Sequence, residues 1–249
     1  MSSNSCAEAY PALSRGAELL GINLDDGQRD AFVRYCQLLL ETNVHTNLTA
    51  IRDPAGVMSS LFLDALSLTA ALPDGFRGSI RCVDVGAGAG LPGLPLKIVF
   101  PDWSLTLVDS VGKKTKFLES VVRELGLSGV TVVNARAEEV GRRPAYRDRA
   151  DLCVARALAA MPTLLELCAP LVRPGGLLLF PKTVGVDREV ELAGEAARRL
   201  HVRLSSVDEV PGDLGLGEDR VVVVYEKTGP TPSGYPRRVG LAKSRPIGF

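Results

Sequence analysis

Val83-Asp84-Val85-Gly86-Ala87-Gly88-Ala89-Gly90 is a short apolar run that ends in three alternating glycines, and a helix-length stretch over 91–100 follows it. A strand that enters a helix through glycines lets its backbone approach a ligand closely, and the helix start offers unpaired N–H donors. A plain strand-to-helix turn also uses glycine, but three in register after an apolar strand favour a binding turn. Outward from this point the chain alternates. Strands are expected at 80–85, 104–109, 130–134, 150–155, 176–180, 202–208 and 220–226, with helices at 91–100, 112–125, 161–172 and 186–200. Such alternation implies a seven-stranded, mostly parallel α/β sheet covered by helices on both faces. Only a Pro/Gly loop separates the last two strands, so one of them is expected to run antiparallel.

Upstream, residues 1–73 read as a helical extension. Asp25 and Asp26 offer a cap, and Phe32, Tyr35, Cys36, Leu39 and Leu40 fall on one helix face. A second helix is expected from Pro54, with Val57, Leu61, Ala65 and Leu68 on one side. Residues 74–227 form the α/β domain, and 228–249 a Pro/Gly-rich tail. The tail holds Arg237, Arg238, Lys243 and Arg245 and no acid, although the whole chain balances 29 Lys+Arg against 29 Asp+Glu.

Composition narrows the class. With 249 residues, 46% hydrophobic and 23% charged, the chain is globular: one large domain, or one with a small extension. Its longest uninterrupted apolar stretches fall short of the ~20 residues a membrane span requires. The first residues lack the basic and apolar regions of an export signal, so a soluble, cytoplasmic monomer is expected. Five cysteines at 6, 36, 82, 153 and 168, with no CxxC pair, argue against a disulfide framework and a zinc site. Only two histidines, His45 and His201, are present, and no metal is expected.

Two cofactor classes compete for the turn. Gly88-Ala89-Gly90-Leu91-Pro92-Gly93 formally matches the dinucleotide GxGxxG fingerprint of an NAD-dependent oxidoreductase. Counted from the strand, however, the turn is Gly86-x-Gly88-x-Gly90 with Asp84 just before it. A carboxylate there suits a cofactor with an amino-acid end and no pyrophosphate, which describes S-adenosylmethionine. Asp109 ends the next strand, where it can accept from a ribose diol or serve as a turn carboxylate.

The motifs Asp84-Val-Gly-Ala-Gly-Ala-Gly-Leu-Pro-Gly-Leu-Pro-Leu, Leu107-Val-Asp-Ser-Val-Gly-Lys-Lys-Thr-Lys-Phe-Leu and Ala135-Arg-Ala-Glu-Glu resemble those of the RsmG family, also called glucose-inhibited division protein B. The likeness extends to Asn47-Leu-Thr-Ala-Ile-Arg-Asp-Pro and to Tyr235-Pro-Arg-Arg-Val-Gly. It implies a class I, Rossmann-like methyltransferase that places a methyl group on N7 of a guanine in small-subunit ribosomal RNA. Gly86, Gly88 and Leu91 then match the cofactor turn, and Ala137 and Glu138 the pair that meets the adenine. Arg156 matches an arginine of the cofactor pocket, expected here to position the reactants, and Lys182 a lysine at the lip. A sheet of this kind binds ligands at its strand carboxyl ends, where all these residues fall.

Several positions depart from the family pattern. Thr42 stands where a tryptophan is usual, Ser60-Leu61 where an Arg-His pair is, Lys182-Thr183 for Lys-Gly, and Gly217-Glu218-Asp219-Arg220 for Gly-Glu-Arg-His. These changes gather where substrate would be met, which keeps a non-catalytic RNA-binding relative as an alternative. Lys113 and Lys114, with Lys116, open a helix beside the ribose site and read either as phosphate contacts or as a solvated first turn. The tail cations are expected to follow an RNA backbone, in a segment too rich in Pro and Gly to be helical.

Overall fold

The computed structural model describes residues 4–76, 78–216 and 220–249. Two long helices open the chain: α1 (Asn4–Leu19) and α2 (Asp26–Thr46). Asp25 caps α2 by accepting from Gln28 N at 2.8 Å, while the Gln28 side chain accepts from Asp25 N at 3.0 Å. The expected apolar face of α2 is buried, from Phe32 to Leu40. Next comes α3 (Pro54–Ala71), capped by Asp53 on Gly56 N and widened to a π-helix over Val57–Leu63. By length and composition α3 could cross a membrane, with a mean hydropathy of 1.3. Its Val57, Met58, Phe62 and Leu63 are instead packed in the core, and it carries a buried carboxylate, Asp64.

The sheet strands are β1 (Arg81–Val85), β2 (Ser104–Asp109), β3 (Val130–Asn134), β4 (Ala150–Val154), β5 (Val172–Thr183), β6 (Val202–Glu209) and β7 (Arg220–Lys227). They lie in the order β3-β2-β1-β4-β5-β7-β6, and only β7 runs antiparallel to its neighbours. Strand β5 is longer than its apolar centre suggests, because Lys182 and Thr183 go on pairing with Val221 and Arg220. Along β4 and β5, Leu152, Val154, Leu177 and Leu179 face one apolar cluster, and Cys153, Leu178 and Phe180 the other. That period of two is what a sheet covered on both sides requires.

The first cluster packs under α1–α3, α4 (Gly93–Val99) and α5 (Gly112–Glu124). The second packs under α6 (Ala137–Val140), α7 (Met161–Cys168), α8 (Asp187–Leu192) and α9 (Gly194–Arg199). The helix expected over 186–200 is two short ones, broken at Ala193-Gly194, where glycine is a poor helix former.

The tail packs against the second face, and its residues Leu241–Ser244, in a segment expected not to be helical, form a short helix, α10. It starts at the amino edge of the sheet, where the fully buried Lys227 ammonium donates to Asp148 at 3.1 Å and Thr231 Oγ1 at 2.6 Å. Burial pulls the Lys227 pKa down, and Asp148 opposes that. Arg147 then donates to the carbonyls of Thr231, Pro232 and Tyr235. Further on, Gly240 N reaches Glu138 and Thr163 Oγ1 reaches Ala242 O, at the opposite edge. Arg237, expected on RNA phosphate, is held by the fully buried Glu166: its Nε and Nη2 donate to the two carboxylate oxygens at 2.8 and 2.5 Å. Glu166 would otherwise be an uncompensated buried charge.

Replacing Arg237 with Ala should therefore destabilise the fold by about 3–5 kcal/mol, the cost of breaking a buried pair from one side. Arg238→Ala, at an exposed side chain, should fall within about 0.5 kcal/mol of wild type. Urea unfolding of both variants checks the contrast.

Candidate active site at the glycine turn

The glycine turn lies at the carboxyl edge of the sheet between β1 and α4. Gly86, Gly88 and Gly90 all take positive φ, at 74°, 58° and 93°. Their surroundings differ. A Cβ on Gly90 would run into Leu94 and lie 2.7 Å from Tyr35 Oη, so Gly90 serves packing. A Cβ on Gly88 would meet nothing closer than Gly86 O at 3.7 Å. Gly88 is thus the open place in the cradle. Leu158, 36% exposed on the loop after β4, covers Gly86. In that loop Ala157 also takes a positive φ of 50°, a strained conformation for a residue with a Cβ.

Carboxylates hold the turn from below. Asp84 is fully buried, and its Oδ2 accepts from Gly93 N at 2.8 Å. Its Oδ1 is buried without a hydrogen-bond partner among the described residues. Burial pushes its pKa up to about 7, against the Gly93 N–H and the Arg156 guanidinium, which favour the charged form. Asp84 therefore faces the underside of the turn and presents no surface to a ligand, contrary to its expected cofactor contact. Tyr35, from α2, donates to Ala89 O and locks the turn to the N-terminal layer.

Asp109 takes the turn-carboxylate role: Oδ2 accepts from Gly88 N at 2.9 Å and Oδ1 from Val111 N at 2.8 Å. A carboxylate has about four acceptor sites, so these bonds leave capacity for a diol. Leu91 is buried, with its N–H on Ala87 O at 3.0 Å, and shapes the turn from within. Gly93, the third glycine of the formal GxGxxG, is buried and commits its N–H to Asp84, so it has none to give a pyrophosphate.

The remaining expected residues ring the same edge. Ala137, half-buried, starts α6, and the buried Glu138 accepts from Gly240 N at 2.8 Å, which seats the tail against α6. Arg156 follows β4 and donates from Nη1 to Asp64 Oδ2 at 2.8 Å. Lys182, near the end of β5, is paired with Glu189 Oε1 at 2.7 Å, so its charge is compensated. Lys113 stands exposed and Lys114 half-buried at the start of α5, and Arg238, Lys243 and Arg245 are exposed. None of these five makes an ion pair among the described residues. Thr42 is half-buried on α2 and Leu61 buried in α3; the departure at Asp219 lies outside the described residues.

Sequence reasoning passed over Tyr35 and Asp64. Tyr35 carried no signal beyond its place on an apolar face. Asp64 did carry one, as the only charge between Asp53 and Asp74. No cluster of His, Cys, Asp and Glu that could hold a metal occurs among the described residues.

An open glycine cradle at the carboxyl edge, with an acid at the end of β2 and an arginine after β4, fits S-adenosylmethionine and defines a class I methyltransferase. Residues 28–214 match the family model "GidB: rRNA small subunit methyltransferase G". The chain belongs to this family of S-adenosylmethionine-dependent enzymes. It is similar to ribosomal RNA small subunit methyltransferase G of Roseiflexus castenholzii, at 46% identity over 94% of this chain and 98% of that one. It is also similar to the enzyme of that name from Rubrobacter xylanophilus, at 41% identity over 96% and 91%. Among solved structures, the [4+2]-cyclase SpnF shares the fold with a TM-score of 0.53 and 15% identity, over 82% of this chain and 96% of that one. A sarcosine dimethylglycine methyltransferase from Galdieria sulphuraria does so at 0.52 and 14%, over 66% and 85%. Membership in the family replaces the oxidoreductase reading.

Two outcomes follow from the geometry. Gly88→Ala should fold with about 1 kcal/mol of strain yet bind S-adenosylmethionine at least tenfold more weakly, whereas Gly90→Ala should lose stability through its clash. Calorimetry beside thermal melts separates the two. For Asp84, a folded pKa above the unfolded 3.8 means the native state holds the extra proton between about pH 4 and 7. Stability should therefore fall as pH rises through that window, by ~4 kcal/mol at most, and level off above 7. Asp84→Asn should lack this dependence when urea unfolding is repeated at stepped pH.

Proposed function

We propose that this chain methylates N7 of a guanine in 16S ribosomal RNA, acting in the cytoplasm on the RNA or on the small subunit. The observation that carries the reading is the cradle open at Gly88, in a chain of this family, with Arg156 just past the end of the adjacent strand β4. When bound, S-adenosylmethionine supplies an electrophilic methyl group on a sulfonium. Guanine N7 has an in-plane lone pair and no proton at neutral pH, so the protein needs no base.

The disposition of the acids and histidines supports this. Asp84 is sealed under the turn, His45 is exposed in the last turn of α2, and His201 lies at the opposite edge of the sheet, at Pro230 O. What remains for the chain is to bind, orient and exclude water. In this reading the Gly86 and Gly88 backbone takes the cofactor, Asp109 its ribose, and Ala137 and Glu138 its adenine. Arg156 fixes the reacting end. Lys113, Lys114, Arg238, Lys243 and Arg245 meet RNA phosphates, with Lys182 at the lip.

The direct test uses labelled S-adenosylmethionine and small subunits, or their RNA, from cells that lack this methylation, followed by mapping of the modified base. Label on guanine N7 is expected; label elsewhere, or none, refutes the reading. His45→Ala and His201→Ala should keep the wild-type rate, and between pH 6 and 8 the rate profile of both variants should match that of wild type. With Arg237 committed to Glu166, three tail cations remain for phosphate. Replacing Arg238, Lys243 and Arg245 together should flatten the slope of log K against log salt by about 2 for single-stranded RNA, with S-adenosylmethionine affinity unchanged.

A further inference from the structure

Asp64 is the only charged residue between Asp53 and Asp74, and it sits buried on the apolar helix α3. Its two oxygens serve two cations from separate strands. Oδ2 lies 2.8 Å from Nη1 of Arg156, just past the end of β4, and Oδ1 lies 3.3 Å from Nε of Arg220, the first residue of β7. The Arg220 Nε is buried and makes no hydrogen bond among the described residues, so the Asp64 charge is its compensation. One carboxylate thus stands between two guanidiniums.

We propose that Asp64 is a positioning residue for cofactor binding, through which the N-terminal helices set the orientation of Arg156. The inference rests on the reading of Arg156 as part of the cofactor pocket. Arg156 has five donors, and the bond on Nη1 fixes the plane of the fork while leaving Nε and Nη2 for a ligand. Removing the carboxylate acts twice. Arg156 regains its rotamers, and two like charges are left facing across the space of one carboxylate. Both effects draw Arg156 out of register with the glycine turn.

The π-helical stretch Val57–Leu63 runs directly into Asp64, and Leu61, Phe62 and Leu63, the three residues before it, are buried. That packing holds the backbone that carries the carboxylate, as a positioning group requires.

The experiment is a double-mutant cycle on S-adenosylmethionine affinity, read by calorimetry, with Asp64→Asn, Arg156→Gln and the two combined. Asp64→Asn should weaken binding about ten- to a hundredfold, the worth of a hydrogen bond to a charged group. The double variant should bind no more weakly than Arg156→Gln alone, because Asp64 acts only through that residue. In methyl transfer, KM for the cofactor should rise and KM for the RNA should not. A merely structural salt bridge would give losses that add.

Wild-type affinity in Asp64→Asn, with Arg156→Gln impaired, overturns the proposal and leaves the pocket reading intact. An unimpaired Arg156→Gln removes that reading and the proposal with it. If Asp64→Asn does not fold, Asp64→Glu keeps the charge but displaces it by one methylene. There a loss of a few fold is expected, and wild-type affinity overturns the proposal.

Discussion

Gly93 N bonds to Asp84 and Gly88 N to Asp109, and the crevice exists because both bonds are made. The first turns the chain from β1 into α4 under cover. The second draws the glycine loop toward β2, so that the open side of Gly88 faces outward. Neither carboxylate could do this from solvent, where water competes for the same amides. Burial makes the bonds strong and also exacts desolvation, seen in the raised pKa of Asp84. Acids of this kind resemble a ligand-binding pair in sequence, yet Asp84 builds the site from behind.

The same constraint, that a buried charge must find a partner, organises the other face. Lys227 with Asp148, Glu166 with Arg237 and Glu138 with Gly240 N pin the tail at successive points from the amino edge of the sheet to the carboxyl edge. The tail is thereby routed to the carboxyl edge and leaves Arg238, Lys243 and Arg245 in solvent. Its basic composition has two uses that composition alone does not separate. One arginine neutralises a core glutamate; the others are free to meet an anion.

How much of this was legible in the sequence depended on the range of the interaction. Period-two and period-3.6 patterns are local, so all seven strands and the central helices could be placed within a few residues. The glycine turn was legible for the same reason. Helices α1 and α10 carry no such local signal, because each is held by packing more than by propensity. Partners distant in sequence were out of reach: Asp64 with Arg156 spans 92 residues, and Arg237 with Glu166 spans 71. A charge inside an apolar run says that it must be paired, but not with what.

The sheet itself does not choose the reaction. A cyclase shares it over most of both chains, with an overall likeness that carries the fold alone. This chain brings further residues to the carboxyl edge from outside the α/β unit. From the N-terminal layer come Tyr35, which locks the glycine turn, and Asp64, which holds Arg156. From the tail come Gly240, which occupies Glu138, and the free cations beyond Arg237. Both appendages meet the sheet through a few buried polar contacts set in apolar packing, so their placement is fixed while their outer surfaces can change. The departures from the family pattern at Thr42 and Leu61 fall on α2 and α3, in the same layer that brings Tyr35 to the glycine turn and Asp64 to Arg156.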